Sequence, residues 1–148
     1  ANSFSGAGRL QGYRQALTEA GITPGEGWVK ACTPTYGHGQ EAARQLLETH
    51  PQLSALFCYN DLVALGALRG CAAVGRSVPE DIAIAGFDDI MLAGVVTPAL
   101  TTCHVPREEM GRLAVSMLLS CIENESNNCS EVVVKPELIV RASTVMSQ

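Results

Sequence analysis

The chain is poor in aromatic and charged residues, and it has no long hydrophobic run. Of its 148 residues, 5% are aromatic, 17% are charged and 47% are hydrophobic. No stretch of about 18 consecutive apolar residues occurs, so we expect no contact with a membrane. Residues 1–5 are too polar for the hydrophobic part of a signal peptide. Length and composition therefore predict one globular domain with a hydrophobic core.

Positive charge is also scarce. The chain has 10 lysines and arginines against 15 aspartates and glutamates, which gives a net charge of −5. A field of this sign repels nucleic acid. We therefore expect no direct binding of DNA by these residues.

The six cysteines lack the spacing of a metal site or of a disulfide framework. No C-x-x-C pair and no neighbouring pair of histidines occurs. We expect buried or half-buried thiols in a reducing, cytoplasmic compartment, and neither a metal nor a cofactor. The six are Cys32, Cys58, Cys71, Cys103, Cys121 and Cys129.

Signatures of catalysis are missing as well. No G-x-S-x-G turn occurs, and the three histidines have no evident triad partners. Residues 6–12 are faintly similar to a dinucleotide fingerprint, but Gln11 replaces the third glycine and no strand precedes it. Asp88 and Asp89 are adjacent and point in different directions, so they do not form an acid–base pair. The sequence therefore disfavours an enzyme.

The sequence does contain helices that alternate with short apolar strands. Such alternation predicts an α/β fold, a layered and mainly parallel sheet with helices on both faces. The predicted helices lie at residues 10–20, 42–47, 62–75 and 106–122, with a further helical stretch from 88–89. The predicted strands lie at residues 28–32, 54–59, 82–87, 100–105, 132–134 and 138–140.

Polar residues follow two of the buried strands directly. Asn60 and Asp61 follow the first, and Asp88 and Asp89 follow the second. Ligands of parallel sheets bind beyond the carboxyl ends of the strands. This convergence predicts a binding site for a small molecule.

Five segments, taken in order, resemble the lactose- and galactose-repressor family (LacI/GalR-type regulators). Each alone is a weak signal, but their order and spacing make the resemblance strong over almost the whole chain. The segments are RLQGYRQAL at 9–17, ALFCYNDLVALGA at 55–67, VPEDIAIAGFDDI at 78–90, TPALTT at 97–102 and PELIVRAST at 136–144.

The resemblance implies a periplasmic-binding-protein-like (type I) second lobe within an effector-sensing domain at 1–148. Residues 1–101 would form this lobe, and residues 102–148 the crossover helix and the C-terminal strands. The helix-turn-helix headpiece and most of the first lobe would be absent, so operator DNA would be bound only through that headpiece. Apolar residues of the crossover helix would then be exposed, namely Leu113, Met117 and Leu118.

The resemblance also implies that Arg9, Asn60 and Asp88 bind hydroxyl groups of the effector. Guanidinium donates, a carboxylate accepts and a carboxamide does both, which suits a sugar or a sugar derivative. The position of the family's stacking aromatic falls on Pro34, and we expect Tyr36 to substitute for it. Helix capping is the alternative for Asn60 and Asp61. We expect Asp61 to cap while Asn60 faces the cleft.

Family dimers imply a homodimer, with Leu62, Leu65 and the stretch from Met91 to Val96 at the interface. The alternative for these apolar side chains is a place in the ordinary core. The implied function is sensing of a small effector through a shift between two lobe arrangements. The other hypothesis is a periplasmic sugar-binding protein of an ABC transporter. The repressor is favoured by VPEDI at 78–82, by PELIVR at 136–141 and by the cysteines.

Overall fold

The computed structural model describes residues 4–123 and 131–145. Five helices and four strands lie within these ranges. The helices are α1 (Phe4–Glu19), α2 (Tyr36–Thr49), α3 (Asp61–Ala73), α4 (Met91–Val95) and α5 (Arg107–Glu123). The strands are β1 (Ala55–Phe57), β2 (Ala83–Ala85), β3 (Thr102–His104) and β4 (Glu137–Ile139). Cys129 lies outside the described residues.

A parallel arrangement brings the ends of three strands to one edge of the sheet. β1 pairs with β2 in parallel, with Phe57 opposite Ala85. Parallel bridges then join Ala85 to Thr101 and Asp88 to His104, so β3 continues the sheet beyond β2. β4 pairs with β3 in antiparallel orientation. The carboxyl ends of β1 and β2 therefore lie side by side, as the expected α/β fold requires.

The core lies between α2, α3 and the sheet. α3 packs closely on α2, and a side-chain carbon on Gly66 would lie 2.0 Å from the carbonyl oxygen of Tyr36. Ile84 and Leu100 are fully buried beneath these helices. In contrast, α1 and α5 contain no buried residue. On α5, Leu118 is 60% exposed, as expected, whereas Leu113 and Met117 are half-buried.

Two predicted strands and three predicted helix starts were wrong. α1 begins at Phe4 and α2 at Tyr36, each six residues before the predicted start. Residues 28–32 form no strand, since no described strand pairs with them; they line a groove of about 380 Å³ together with β1. Residues 132–134 are likewise outside any strand. The helical stretch predicted from 88–89 begins at Met91, because Asp88 and Asp89 both have positive φ angles. Within the described ranges, no helix combines the length and the apolar character needed to cross a membrane.

Candidate functional site

Arg9 of α1 lies over the carboxyl ends of β1 and β2. Its guanidinium donates a hydrogen bond of 2.6 Å to the carbonyl oxygen of Tyr59 and is 3.5 Å from a carboxylate oxygen of Asp88. Its Cζ atom also lies 4.6 Å from the ring centroid of Tyr59 and 3.9 Å from that of Phe87. A planar guanidinium stacks well between two such rings. Arg9 and Asp88 are thus brought together as expected, and both side chains stay partly open to solvent.

Asp88 carries a carboxylate whose surroundings oppose its charge. Burial raises its pKa, the Arg9 guanidinium lowers it and the nearby Asp61 carboxylate raises it, and the net effect is a raised pKa. Its side chain is 32% exposed. A carboxylate in this state gains from a ligand that donates hydrogen bonds, because such donors replace the water it has lost.

Asp89 is held within the protein instead. Its carboxylate oxygens lie 2.8 Å from a guanidinium nitrogen of Arg141 and 2.9 Å from Nδ1 of His104. Burial raises the pKa of Asp89, but the hydrogen bonds from Arg141 and His104 outweigh it, so the pKa is lowered. These contacts leave Asp88 as the carboxylate that faces Arg9.

The expectation for Asn60 and Asp61 was wrong about the helix cap. Asn60 caps α3, since its side-chain oxygen accepts a hydrogen bond of 3.0 Å from the amide of Val63. Asp61 is fully buried and accepts hydrogen bonds from the amide of Ile90 and the hydroxyl of Thr102. Capping suits Asn60 because its extended backbone precedes the helix, whereas Asp61 is already the first helical residue. Effector binding by Asn60 stays a prediction.

Tyr36 is the first residue of α2, where its ring is 47% exposed. Within residues 4–123 and 131–145, no hydrogen bond or ring contact joins it to Arg9 or Asp88. Pro34 instead lines the same groove as Arg9. The stacking role of Tyr36 therefore stays a prediction.

The residues expected at a dimer interface divide into two groups. Met91 is 82% exposed and Leu62 is 42% exposed. Leu65 is buried in the core, and Val96 packs partly buried against it. Leu65 thus has the core position that was the alternative for these side chains, because it faces the body of the protein from α3.

Sequence reasoning missed the two rings around Arg9 and the cluster around Asp89. Tyr59 and Phe87 each stand one residue before a polar residue that had been singled out. Their place at the ends of buried strands was the available signal. Arg141 and His104 reach Asp89 across strands that are distant in sequence, and no local pattern predicts that meeting.

The described cysteines are buried or half-buried thiols, as expected. Cys58 and Cys71 are buried, and Cys32 and Cys103 are half-buried. Burial raises the pKa of Cys58 to about 12 and that of Cys71 to about 11. Among the described residues, no group of three or more His, Cys, Asp and Glu side chains is placed to hold a metal ion.

We expect acid to weaken the fold through Asp89. Since its folded-state pKa is depressed, its stabilising effect is present above the usual value of 3.8 and is lost as the pH falls through the folded-state pKa. The unfolding free energy of Asp89→Asn should therefore depend less steeply on pH on the acid side. The difference in slope should correspond to at most about one bound proton. Urea unfolding between about pH 5 and pH 3 measures this slope. Glu108→Gln, at an exposed carboxylate of α5, is the control, and equal slopes in all three proteins would contradict the assignment.

The fold defines a periplasmic-binding-protein-like α/β domain, and a family model with this description, "Periplasmic binding protein-like domain", matches residues 2–144. The chain belongs to this family, and it is similar to transcriptional regulators of the LacI/GalR type. It is 40% identical over 139 residues to the transcriptional repressor PurR of Proteus mirabilis, covering 94% of the chain and 41% of the relative. The regulator CelR of Thermobifida fusca gives the same identity and the same coverage.

A solved complex of the transcriptional regulator CelR with cellobiose is also similar. It superimposes with a TM-score of 0.88 at 40% identity, over 93% of this chain and 42% of that chain. The chain thus spans about two fifths of the length of these relatives. They are transcriptional regulators rather than enzymes or transport proteins.

Proposed function

We propose that this chain is the effector-sensing part of a LacI/GalR-type transcriptional regulator, and that its effector is a sugar or a sugar derivative. The observation that carries the proposal is the pairing of Arg9 with Asp88 at the carboxyl edge of the sheet. Arg9 is fixed there between the rings of Tyr59 and Phe87. The site therefore has a rigid donor beside a partly desolvated acceptor.

This pair suits neighbouring hydroxyl groups of a sugar. Each hydroxyl both donates and accepts, so one can donate to Asp88 while its neighbour accepts from Arg9. Asn60 adds a carboxamide donor next to Tyr59, and Tyr36 would supply an aromatic face. The similar CelR complex contains cellobiose, which supports a sugar as the class of ligand.

The remainder of the proposal concerns the longer protein. Residues 1–101 form the second lobe, and residues 102–148 form the crossover helix and C-terminal strands that lead to the other lobe. Operator DNA is bound by a separate headpiece, which agrees with the negative charge of this chain. The effector changes DNA binding only if it prefers one lobe arrangement over the other.

A thermal-melt screen tests the proposal. The purified chain is heated with cellobiose, lactose, glucose, a sugar phosphate and a nucleobase. A ligand at about 100 times its dissociation constant should add roughly 2.7 kcal/mol to the free energy of unfolding. A rise in melting temperature with a sugar supports the proposal. A rise in melting temperature with the nucleobase alone would indicate a nucleobase, and not a sugar, as the class of effector.

The exposed apolar residues at α4 and at the start of α3 are proposed to form a homodimer contact. Ile90, which precedes α4, is hydrogen-bonded to Asp61, which opens α3, so Met91 and Leu62 belong to neighbouring segments. Leu92 and Val95 extend this apolar surface. The second candidate contact is α5, whose Leu118 is also exposed.

We expect Met91→Lys to weaken self-association at least about tenfold, because it places a charge in an apolar contact. Sedimentation velocity over a concentration series measures the dissociation constant. Leu118→Lys is the matched variant on α5 and should leave the dimer intact. Loss of the dimer in Leu118→Lys but not in Met91→Lys would assign the contact to α5.

A further inference from the structure

The backbone is strained at the point where the proposed ligand-binding carboxylate stands. Asp88 has a φ of 111° and Asp89 a φ of 51°. Residues other than glycine rarely adopt a positive φ angle. Two such residues in succession need neighbouring groups that hold the backbone in this conformation. Strain of this kind concentrates at functional sites. The loop of residues 88–90 therefore needs other residues to keep it in place.

Two fully buried side chains support this loop from inside the protein. One carboxylate oxygen of Asp61 accepts a hydrogen bond of 2.9 Å from the amide of Ile90. The other accepts one of 2.6 Å from the hydroxyl of Thr102. The hydroxyl oxygen of Thr102 is in turn 3.4 Å from the amide of Asp89, which donates to it. Asp61 and Thr102 therefore contact two consecutive amides of the strained loop, and both are 0% exposed.

The space around Asp61 is built closely to this arrangement. A side-chain carbon on Gly86 would lie 2.2 Å from the carboxylate oxygen that Thr102 contacts. A residue without a side chain is therefore needed at position 86, so that the carboxylate of Asp61 can extend from α3 to Thr102 in β3. The amide of Gly86 also donates to the carbonyl of Thr101, which fixes the strand that carries Thr102.

The solvent side of the loop is held separately. Arg107 donates to the carbonyl oxygens of Asp88 and Asp89 at 3.1 and 3.5 Å, and its side chain is exposed. Arg141 and His104 hold the Asp89 carboxylate rather than the backbone. Hydrogen bonds at exposed sites compete with water, so Asp61 and Thr102 restrain the backbone more strongly than Arg107 does. The amide of Asp88 also donates a backbone hydrogen bond of 2.9 Å to the carbonyl of Cys103.

We propose that Asp61 and Thr102 are positioning residues, which hold residues 88–90 in the strained conformation that presents the Asp88 carboxylate to a ligand beside Arg9. Neither residue touches the ligand in this account. This inference rests on the proposed function, because it assigns Asp88 to effector binding. The restraint on the backbone, however, can be measured without an effector.

Thr102→Val is the central variant, because valine has nearly the shape of threonine and lacks its hydroxyl. Thr102→Ser restores the hydroxyl. Ser143→Ala is the control for lost stability, since Ser143 is buried and bonded to Ile84 and Thr101, outside the loop. Asp61→Asn keeps an acceptor for the amide of Ile90 and serves as the conservative variant of the second residue.

Amide hydrogen exchange by NMR measures the loop directly. In Thr102→Val, the amides of Asp89 and Ile90 should exchange at least about tenfold faster than in Ser143→Ala, and Thr102→Ser should exchange as the native chain does. In Asp61→Asn, the same two amides should exchange less than about tenfold faster than in the native chain, because the side-chain oxygen of asparagine still accepts from the amide of Ile90. Equal exchange in Thr102→Val and Ser143→Ala would overturn the inference, whatever the chain binds.

Sugar affinity is the second measurement. Thr102→Val should bind the sugar found in the melt screen at least about tenfold more weakly, while Ser143→Ala and Thr102→Ser keep the native affinity. Faster exchange with unchanged affinity would overturn the positioning role. If the native chain binds no sugar, the proposed function fails, while the exchange rates still decide whether Asp61 and Thr102 restrain the loop.

Discussion

Gly66→Ala is expected to lower the free energy of unfolding by about 3 kcal/mol or more. The added carbon would lie 2.0 Å from the carbonyl oxygen of Tyr36 and 2.7 Å from the amide nitrogen of Gln40. Both atoms belong to the backbone of α2, so the two helices must separate to admit the methyl group. Such a loss is a large part of the 5–15 kcal/mol that typically stabilises a domain. Urea unfolding followed by circular dichroism measures it.

Gly12→Ala is the matched control for this prediction. Gly12 lies within α1, and a side-chain carbon there meets nothing within 4 Å. Alanine at an open helical position should stabilise the fold by roughly 0.5–1 kcal/mol. The same substitution thus has opposite signs in two helices. A small effect of Gly66→Ala would show that α2 and α3 do not pack as closely as described.

Replacing Arg9 is expected to cause the largest loss of ligand binding. Arg9→Ala should weaken sugar binding at least about 100-fold, because it removes a charged donor and the group that is stacked between Tyr59 and Phe87. Arg9→Lys keeps the charge but lacks the planar fork, so it should recover only a small part of the affinity. Isothermal titration calorimetry measures both dissociation constants.

Arg14→Ala is the control, since Arg14 is an exposed arginine of the same helix. It should bind as the native chain does. Native affinity in Arg9→Lys would mean that Arg9 acts as a charge alone. An effect of Arg14→Ala equal to that of Arg9→Ala would place the ligand on the outer surface of α1 instead.

Local patterns predicted most of the helices and the short strands, whereas Arg9 was placed at the site of Asp88 only by the resemblance to the LacI/GalR-type family. Asp88 was favoured because it directly follows the strand predicted at residues 82–87, and this rule depends only on the geometry of parallel sheets. The sequence could not predict that Asp88 and Asp89 have positive φ angles, because neighbours distant along the chain impose them. The same holds for Asp61, whose partners Ile90 and Thr102 lie 29 and 41 residues away.

The predicted strand at residues 28–32 shows the limit of propensity. Its apolar residues fit a strand, but a strand also needs a neighbour with which to share hydrogen bonds. Here no described strand pairs with residues 28–32, which line a groove together with β1. Pattern predicts which residues favour an extended backbone, and tertiary contact decides whether they form a sheet.

Titration of Asp88→Asn with the sugar from the melt screen shows whether the Asp88 carboxylate binds the effector. Asparagine keeps the shape of the side chain, removes the charge that its surroundings oppose and tolerates a positive φ. We expect Asp88→Asn to have an equal or higher melting temperature and at least about 30-fold weaker sugar binding. The Asp88 carboxylate would then be required for sugar binding but not for the stability of the fold. Native affinity in Asp88→Asn would contradict the account, because the sugar would not depend on that carboxylate.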